Sequence, residues 1–297
     1  MEKSQKQKEP SATFGIQEAA DALNEQGFLF QQVIREEIKN GQKEQQQQQW
    51  VIAANEYPVT AADGSQTRID LLLNHVRMKN VYVCLECKRP NPKFRTWLFF
   101  DRDTPRLFIE DGRMEPGRSY DTSKPIDYRQ CISSQFQVTD ISIFNFYLEA
   151  TKRSSNSGKA SNNETIEKAL RQLIAGHSGM MNKLRSYERS DGMSFYRSIP
   201  VIVTTANLFE AEFDCKNISL NNGMIEESSL KLVSQKFCAI NYHPDDSLSI
   251  PRQYSNYIKG DVLADMNFYQ TRTVFIVHSS TINDFLFWAA EHLTKHP

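Results

Sequence analysis

At 297 residues the chain can bury a full core, as one large domain or two small ones. Lys and Arg total 35 against 36 Asp and Glu, so the net charge of -1 excludes a global field that would hold a polyanion, and any nucleic-acid contact must use local basic patches. No run reaches the ~18 apolar residues of a membrane-spanning helix, and Met1 to Pro10 is charged with no apolar stretch, so a soluble, unprocessed chain is expected. Five cysteines (Cys84, Cys87, Cys131, Cys215 and Cys238) are odd in number and widely spaced, which reads as reduced thiols and a cytoplasmic setting.

Residues 1–12 are polar and read as a disordered tail, with a single domain expected over 13–297. From Phe14 the pattern turns helical: Ile16, Ala19, Ala20 and Leu23 share a face, Gly27 interrupts, and Phe30, Val33 or Ile34, and Ile38 resume it, with Asn40-Gly41 as the stop. Gln45 to Gln49 reads as an exposed approach to the next strand. Trp50 to Thr60 is the first predicted strand, and Thr67 to Leu73 the second, across a turn carrying the hairpin signal Asp63-Gly64. Val81 to Lys88 is the third, closed by Arg89-Pro90 and Pro92 because proline cannot donate to a continuing ladder.

Residues 91–126 read as loop-rich over a packed aromatic cluster of Trp97, Phe99 and Phe100, and the apolar positions from Cys131 to Tyr147 suggest a second helical region. An exposed linker of Ser, Asn, Gly and Lys is expected over 151–163. A helix follows over Glu164 to Arg189, which Gly176 and Gly179 can bend or split. Ile199 to Thr205, Phe237 to Tyr242 and Thr273 to His278 read as strands, and Ile282 to Leu293 as a closing amphipathic helix.

Two of these apolar strands contain carboxylates. Asp70 sits in Ile69-Asp70-Leu71-Leu72-Leu73, and Glu86 in Val83-Cys84-Leu85-Glu86-Cys87-Lys88. An isolated charge in a water-poor interior costs many kcal/mol and persists only when paired or bound to a metal. Glu86 and Lys88 are two apart on a strand and share a face, while Cys87 points to the other and reads as a buried structural thiol. A hairpin of this length brings Asp70 beside Glu86. Two oxygen ligands then suit a hard cation such as Mg2+ or Mn2+, with the lysine placed to orient water and offset developing negative charge.

Helix, three-strand meander with Asp70 and Glu86-Cys87-Lys88, helix, strand: this order resembles the PD-(D/E)xK nuclease superfamily, best over residues 27–100 and more loosely through the middle of the chain. The resemblance implies an α/β fold with a restriction-endonuclease-like core, a central mixed sheet flanked by helices, here with C-terminal strand and helix additions. It implies metal-dependent hydrolysis of phosphodiester bonds, usually in DNA, with Asp70 and Glu86 as the acids, Lys88 as the lysine and the Cys87 carbonyl as an extra ligand. A glutamate on the first helix is matched by Glu36 or Glu37. The proline of the family name is absent, since Ile69 precedes Asp70. Defence against foreign DNA is an expectation of the same resemblance, and a hydrolytic domain without a recognisable DNA-reading module suggests targeting by a homo-oligomer or a protein partner. An RNA-directed nuclease and a non-catalytic scaffold on the same fold are the rival readings.

The triplet alone is weak evidence, because Glu-x-Lys arises by chance roughly once in a chain this long, and Glu37-Ile38-Lys39 and Asp214-Cys215-Lys216 are decoys of the same type. Its setting in an apolar strand gives it weight. Glu56 also interrupts an apolar strand and reads as a solvent-facing edge residue beside Pro58, with the site as the alternative. Arg68 shares the face of Asp70 and is either its ion-pair partner or a phosphate contact. Arg89, Lys93 and Arg95 follow the site as a basic loop that could track a nucleic-acid backbone.

Overall fold

The structure, a computed structural model, describes residues 15–25, 27–44, 49–61, 63–78, 80–90, 95–103, 106–114, 128–150, 164–191, 195–244 and 271–294. The expected tail over 1–12, the linker over 151–163, Lys93 and all of the glutamine run except Gln49 lie outside the described residues.

The N-terminal region forms two helices, α1 (Ile16–Glu25) and α2 (Phe28–Glu44), separated at Gly27. α2 continues through Asn40-Gly41, so the expected stop is not used. Ile34 and Ile38, one turn apart, are buried and anchor it. The meander follows as β1 (Trp50–Thr60), β2 (Gln66–His75) and β3 (Val81–Lys88), all antiparallel neighbours. Then come β4 (Thr96–Arg102), β5 (Arg106–Met114), β6 (Tyr128–Gln137) and β7 (Ile143–Ala150).

This stretch corrects two expectations. The loop-rich segment 91–126 contains β4 and β5, and the helical region expected from Cys131 to Tyr147 is strand. Ile143 and Phe144 suit either period in a short apolar run, and pairing with β4 and β11 (Phe237–Tyr242) decides it. The aromatics Trp97 and Phe99 are buried on β4 rather than packed beneath a loop.

α3 (Glu164–Asp191) is one uninterrupted helix, its first turn capped by Glu149, whose Oε1 accepts from the Ile166 backbone N–H at 2.6 Å. β8 (Phe195–Thr204), β9 (Asn207–Glu212), β10 (Lys231–Gln235), β11, β12 (Arg272–His278) and α4 (Ile282–His292) complete the chain.

The strands form one mixed sheet in the order β1-β2-β3-β8-β12-β11-β7-β4-β9-β10, with β5 bridging β6 and β8. β8 lies parallel to both β3 and β12. These central strands are apolar on both faces, as a sheet covered on two sides requires. Val81, Val83, Leu85, Ile199, Val201, Val203, Phe275 and Val277 pack under α2 and α4. Cys84, Ile202, Val274 and Ile276 pack under α3, against Leu170, Leu173 and Ile174. Each fully buried aliphatic side chain contributes about 1.5–3 kcal/mol. The architecture is therefore α/β, a large mixed sheet flanked by helices. Two large polar side chains inside are satisfied by backbone: Trp50 Nε1 donates to the Leu286 carbonyl at 2.8 Å, and the fully buried Arg197 donates through Nη1 to the Leu293 carbonyl at 2.6 Å.

Candidate active site

The hairpin register fixes the site. β1 pairs with β2 at Asn55 with Leu71 and Tyr57 with Ile69, which sets Glu56 opposite Asp70. β2 pairs with β3 at Leu71 with Leu85, and the same register continued by one residue sets Asp70 beside Glu86. Three carboxylates thus line up across three adjacent strands. Asp70 shares strand parity with Leu72, and Glu86 with Cys84, on the face that α3 covers.

Asp70 Oδ2 accepts from the Cys87 backbone N–H at 2.7 Å. Lys88 Nζ lies 2.8 Å from Glu86 Oε1 and donates to Gln172 Oε1 on α3 at 2.6 Å. Burial pushes the Asp70 carboxyl up to about 6, against the lowering effect of the Cys87 N–H and with Glu56 adding repulsion. Burial and the neighbouring Asp70 charge push Glu86 up to about 7. A close ion pair and a raised carboxyl pKa point in opposite directions at Glu86. Its side chain is 4% exposed, so desolvation and a like charge outweigh the lysine.

The Cys87 side chain turns to the opposite face and packs with Val83 and Leu85 under α2. Burial holds its thiol well above the ordinary range, so only its backbone carbonyl is available as a metal ligand.

Glu36 and Glu37 do not join the site. Glu36 pairs with Lys39 at 2.8 Å on the outer face of α2, and Glu37 accepts from Asn283 Nδ2 at 3.2 Å, toward α4. The α2 residue that reaches this region is Gln31, buried, whose Nε2 donates to the Asp70 backbone carbonyl at 2.6 Å. A helix of α2's phase turns Ile34 and Ile38 to the sheet, and Gln31 lies one turn before Ile34 on that face, whereas Glu36 falls on the far side and Glu37 on the flank beside α4.

Glu56 is not a simple solvent-facing edge residue. It is half-buried, takes the left-handed backbone at φ 48°, and its charge acts on both Asp70 and Glu86. Arg68 is the partner of Glu56, at 3.8 Å, rather than of Asp70, and its guanidinium is 67% exposed. Arg89 donates through Nη2 to the Asn24 carbonyl at the end of α1, and Arg95 is exposed before β4. Gln31 and Gln172 carry no signal in the sequence. Glu56 carries one, since counting outward from the turn through Thr60 and Gln66 places it opposite Asp70.

The β2–β3 pairing ends at Leu71 with Leu85, and Arg68 pairs with Pro58 on β1. α3 crosses this end of the sheet on a single stripe. Gln172 stands over β3. At Gly176 a Cβ would come within 3.1 Å of Ile69 Cγ1, over β2, and at Gly179 within 2.6 Å of the Thr60 carbonyl oxygen, over β1. Lys183 Nζ sits 4.6 Å from the centroid of the Tyr57 ring.

Among the described residues no three His, Cys, Asp or Glu side chains form a ready-made cage. Magnesium does not need one, because it binds through one or two carboxylates and keeps several waters. Two mutually repelling buried acids, with the Cys87 peptide carbonyl next to Glu86 in sequence, fit such an ion. Comparisons with protein-family models, curated proteins and solved structures found no match to the chain.

Proposed function

We propose that the chain is a divalent-metal-dependent phosphodiester hydrolase of the PD-(D/E)xK type, with a restriction-endonuclease-like core and nucleic acid, DNA first, as substrate. The observation that carries this reading is the convergence of Asp70 and of Glu86 with Lys88 on one sheet face, at the C-terminal end of a parallel strand. Asp70, Glu86 and the Cys87 carbonyl would hold Mg2+ or Mn2+, which when bound polarises a phosphoryl group and lowers the pKa of a coordinated water.

Within this reading Lys88 hydrogen-bonds the attacking water and offsets the negative charge that develops on phosphorus oxygens. Gln172 fixes the lysine from α3, so the ammonium need not search for its position when substrate arrives. Gln31 holds the Asp70 segment of β2 from the opposite side of the sheet. A bare hydrolytic core of this kind takes its target from a partner or a second copy, and a role in defence against foreign DNA fits that arrangement.

The test is incubation with supercoiled, linear and single-stranded DNA and with RNA, each with Mg2+, Mn2+ or chelator. Cleavage by the parent that needs metal, falls at least about 10³-fold in Asp70→Asn and Lys88→Ala and leaves both variants folded is the expected result. Metal-independent cleavage, or wild-type rates in Lys88→Ala, would overturn it.

A second reading, a non-catalytic scaffold, is favoured by one observation: Lys88 already has two acceptors within 2.8 Å without any cation. On that reading Mg2+ leaves the melting temperature unchanged. On the first it raises it, by about 2.7 kcal/mol of stabilisation at a hundredfold excess over Kd.

A further inference from the structure

Beyond Lys88, a cleft of about 380 Å³ opens between α3 and the turn end of the β1–β2 hairpin. Its floor is Pro58 and Val59, and its polar lining is Thr60, Gln66, Asn182 and Lys183. The lining is chemically mixed in the manner of a ligand site, an apolar floor with a few convergent polar groups. Neither the Gln66 nor the Asn182 amide makes a hydrogen bond among the described residues, so each offers an unused acceptor and two unused donors at the rim. Lys183 is held over the Tyr57 ring, which keeps its ammonium at the cleft. Gly179 lines the cleft where α3 meets the hairpin. α3 approaches β1 so closely there that a Cβ would meet the Thr60 carbonyl, and the helix then leaves the sheet edge with Asn182 and Lys183 facing the hairpin.

The way from the catalytic centre to the cleft is also marked. Lys88, fixed by Gln172 of α3, stands at one end, and Lys183, over the Tyr57 ring, at the other. Along α3, Gln172 and Lys183 are separated by about 16 Å of helix rise, a span that a few nucleotides of one strand can cover. Lys88 and Lys183 thus bracket one stripe of α3 on a chain whose net charge is -1.

We propose that this cleft is a nucleobase-binding subsite for the substrate strand, a few nucleotides from the scissile phosphate. The base lies against Pro58 and Val59, the Gln66 and Asn182 amides hydrogen-bond its edge, and Lys183 takes a flanking phosphate. A pair of amides can satisfy the donor and acceptor pattern of more than one base, so the subsite selects for an unstacked nucleotide before it selects for sequence. The inference rests on the nuclease reading for its substrate class, but not for its measurement.

The experiment uses the full chain, in chelator to prevent cleavage, and end-labelled single-stranded oligonucleotides, DNA and RNA in separate arms. A single abasic site is walked along the strand, and binding is compared between the parent and Gln66→Ala/Asn182→Ala. One abasic position should weaken parent binding by at least about fivefold, the worth of one held base. The double variant should lose a similar factor on the intact strand and show no further loss at that abasic position, with its melting temperature unchanged. Lys183→Gln should reduce the slope of log affinity against log salt by about one contact's worth, near 0.7 for a single strand. Additive losses, or equal affinity of parent and double variant for every oligonucleotide, would overturn the subsite. Cleavage is then scored separately with Mg2+. A parent that shows the abasic coupling but never cleaves sinks the nuclease reading alone, and a parent that cleaves without the coupling sinks the subsite alone. A parent that neither binds nor cleaves sinks both.

Discussion

At Glu86 an ion pair and a desolvation cost act on one carboxyl, and their balance has a pH signature. Burial and Asp70 raise Glu86 to about 7, and burial raises Asp70 to about 6, so over this window the folded chain holds more protons than the unfolded one. Stability without metal therefore falls as pH rises from about 4 to about 7 through these two groups, because the slope follows the excess of protons on the unfolded state, here negative. Glu86→Gln should flatten the upper part of that fall and, in chelator, melt at or above the parent temperature at neutral pH. Melting curves of parent and variant across this range check it, and a parent whose stability gains on the variant with rising pH would contradict it. Mg2+ works in the other direction, since it needs both carboxylates ionised: its stabilisation of the parent should grow as pH rises through about 6 to about 7. Beside Glu86, Gln172→Leu keeps the shape but removes the acceptor of Lys88. Turnover with Mg2+ is expected to fall about 10- to 100-fold with KM and melting temperature little changed, measured by single-turnover cleavage. At this scale Asp70, Glu86 and Lys88 were legible because a charge inside an apolar strand is anomalous in the sequence itself. Gln31 and Gln172 were not, since a glutamine on a helix is ordinary until its tertiary partner is known.

Among elements, α3 approaches the sheet closely at Gly179. Gly179→Ala would drive a methyl group to 2.6 Å from the Thr60 carbonyl, backbone against helix with no flexible side chain to yield. Overpacking of that kind costs about 1–3 kcal/mol, despite the gain of up to about 1 kcal/mol in helix propensity on exchanging Gly for Ala. Chemical denaturation should show net destabilisation, and a stabilised variant would mean that α3 does not sit as described. The meander was readable from sequence: β1 and β3 have the expected bounds, because the hairpin signal, the flanking prolines and the alternation agree. β6 and β7 were misread because their apolar residues fit both periods and no turn signal arbitrates, and β9 and β10 were passed over in a polar stretch. The helix α2 was found but its functional face was not, since Glu36 and Glu37 satisfy a sequence pattern while Gln31 satisfies the geometry.

Across the whole molecule, the sheet joins strands distant in sequence, as where β3 pairs with β8 along its full length. Nothing local announces such pairing, so the strand order could not be read from sequence, although a buried strand over Ile199 to Thr205 could, one residue past its observed end at Thr204. The same burial makes a chemical prediction. Cys84, Cys87 and Cys238 lie within the two packed layers, while Cys215 is exposed, and burial holds the Cys87 and Cys238 thiols well above their ordinary range. Because the thiolate is the reactive form, a brief iodoacetamide pulse on the native protein should alkylate Cys215 and spare those three, which should react only in denaturant. Peptide mapping by mass spectrometry reads the result, and early labelling of Cys87 would show that the strand behind the site opens readily.

The stripe on α3 also behaves as a gauge. Gln172, Gly176, Gly179 and Lys183 recur at offsets of four, seven and eleven, so all four face the sheet only while the helix keeps its phase. One inserted residue between Gln172 and Gly179 would rotate everything beyond it by about 100°, taking the glycines off their strands and Lys183 off Tyr57 while leaving Gln172 in place. The interval between Gln172, which holds Lys88, and the far end of the cleft therefore cannot drift by small steps. It can lengthen or shorten only by near-whole turns, about 5.4 Å at a time, and any variant chain that reaches a different stretch of substrate must pay for it in that unit.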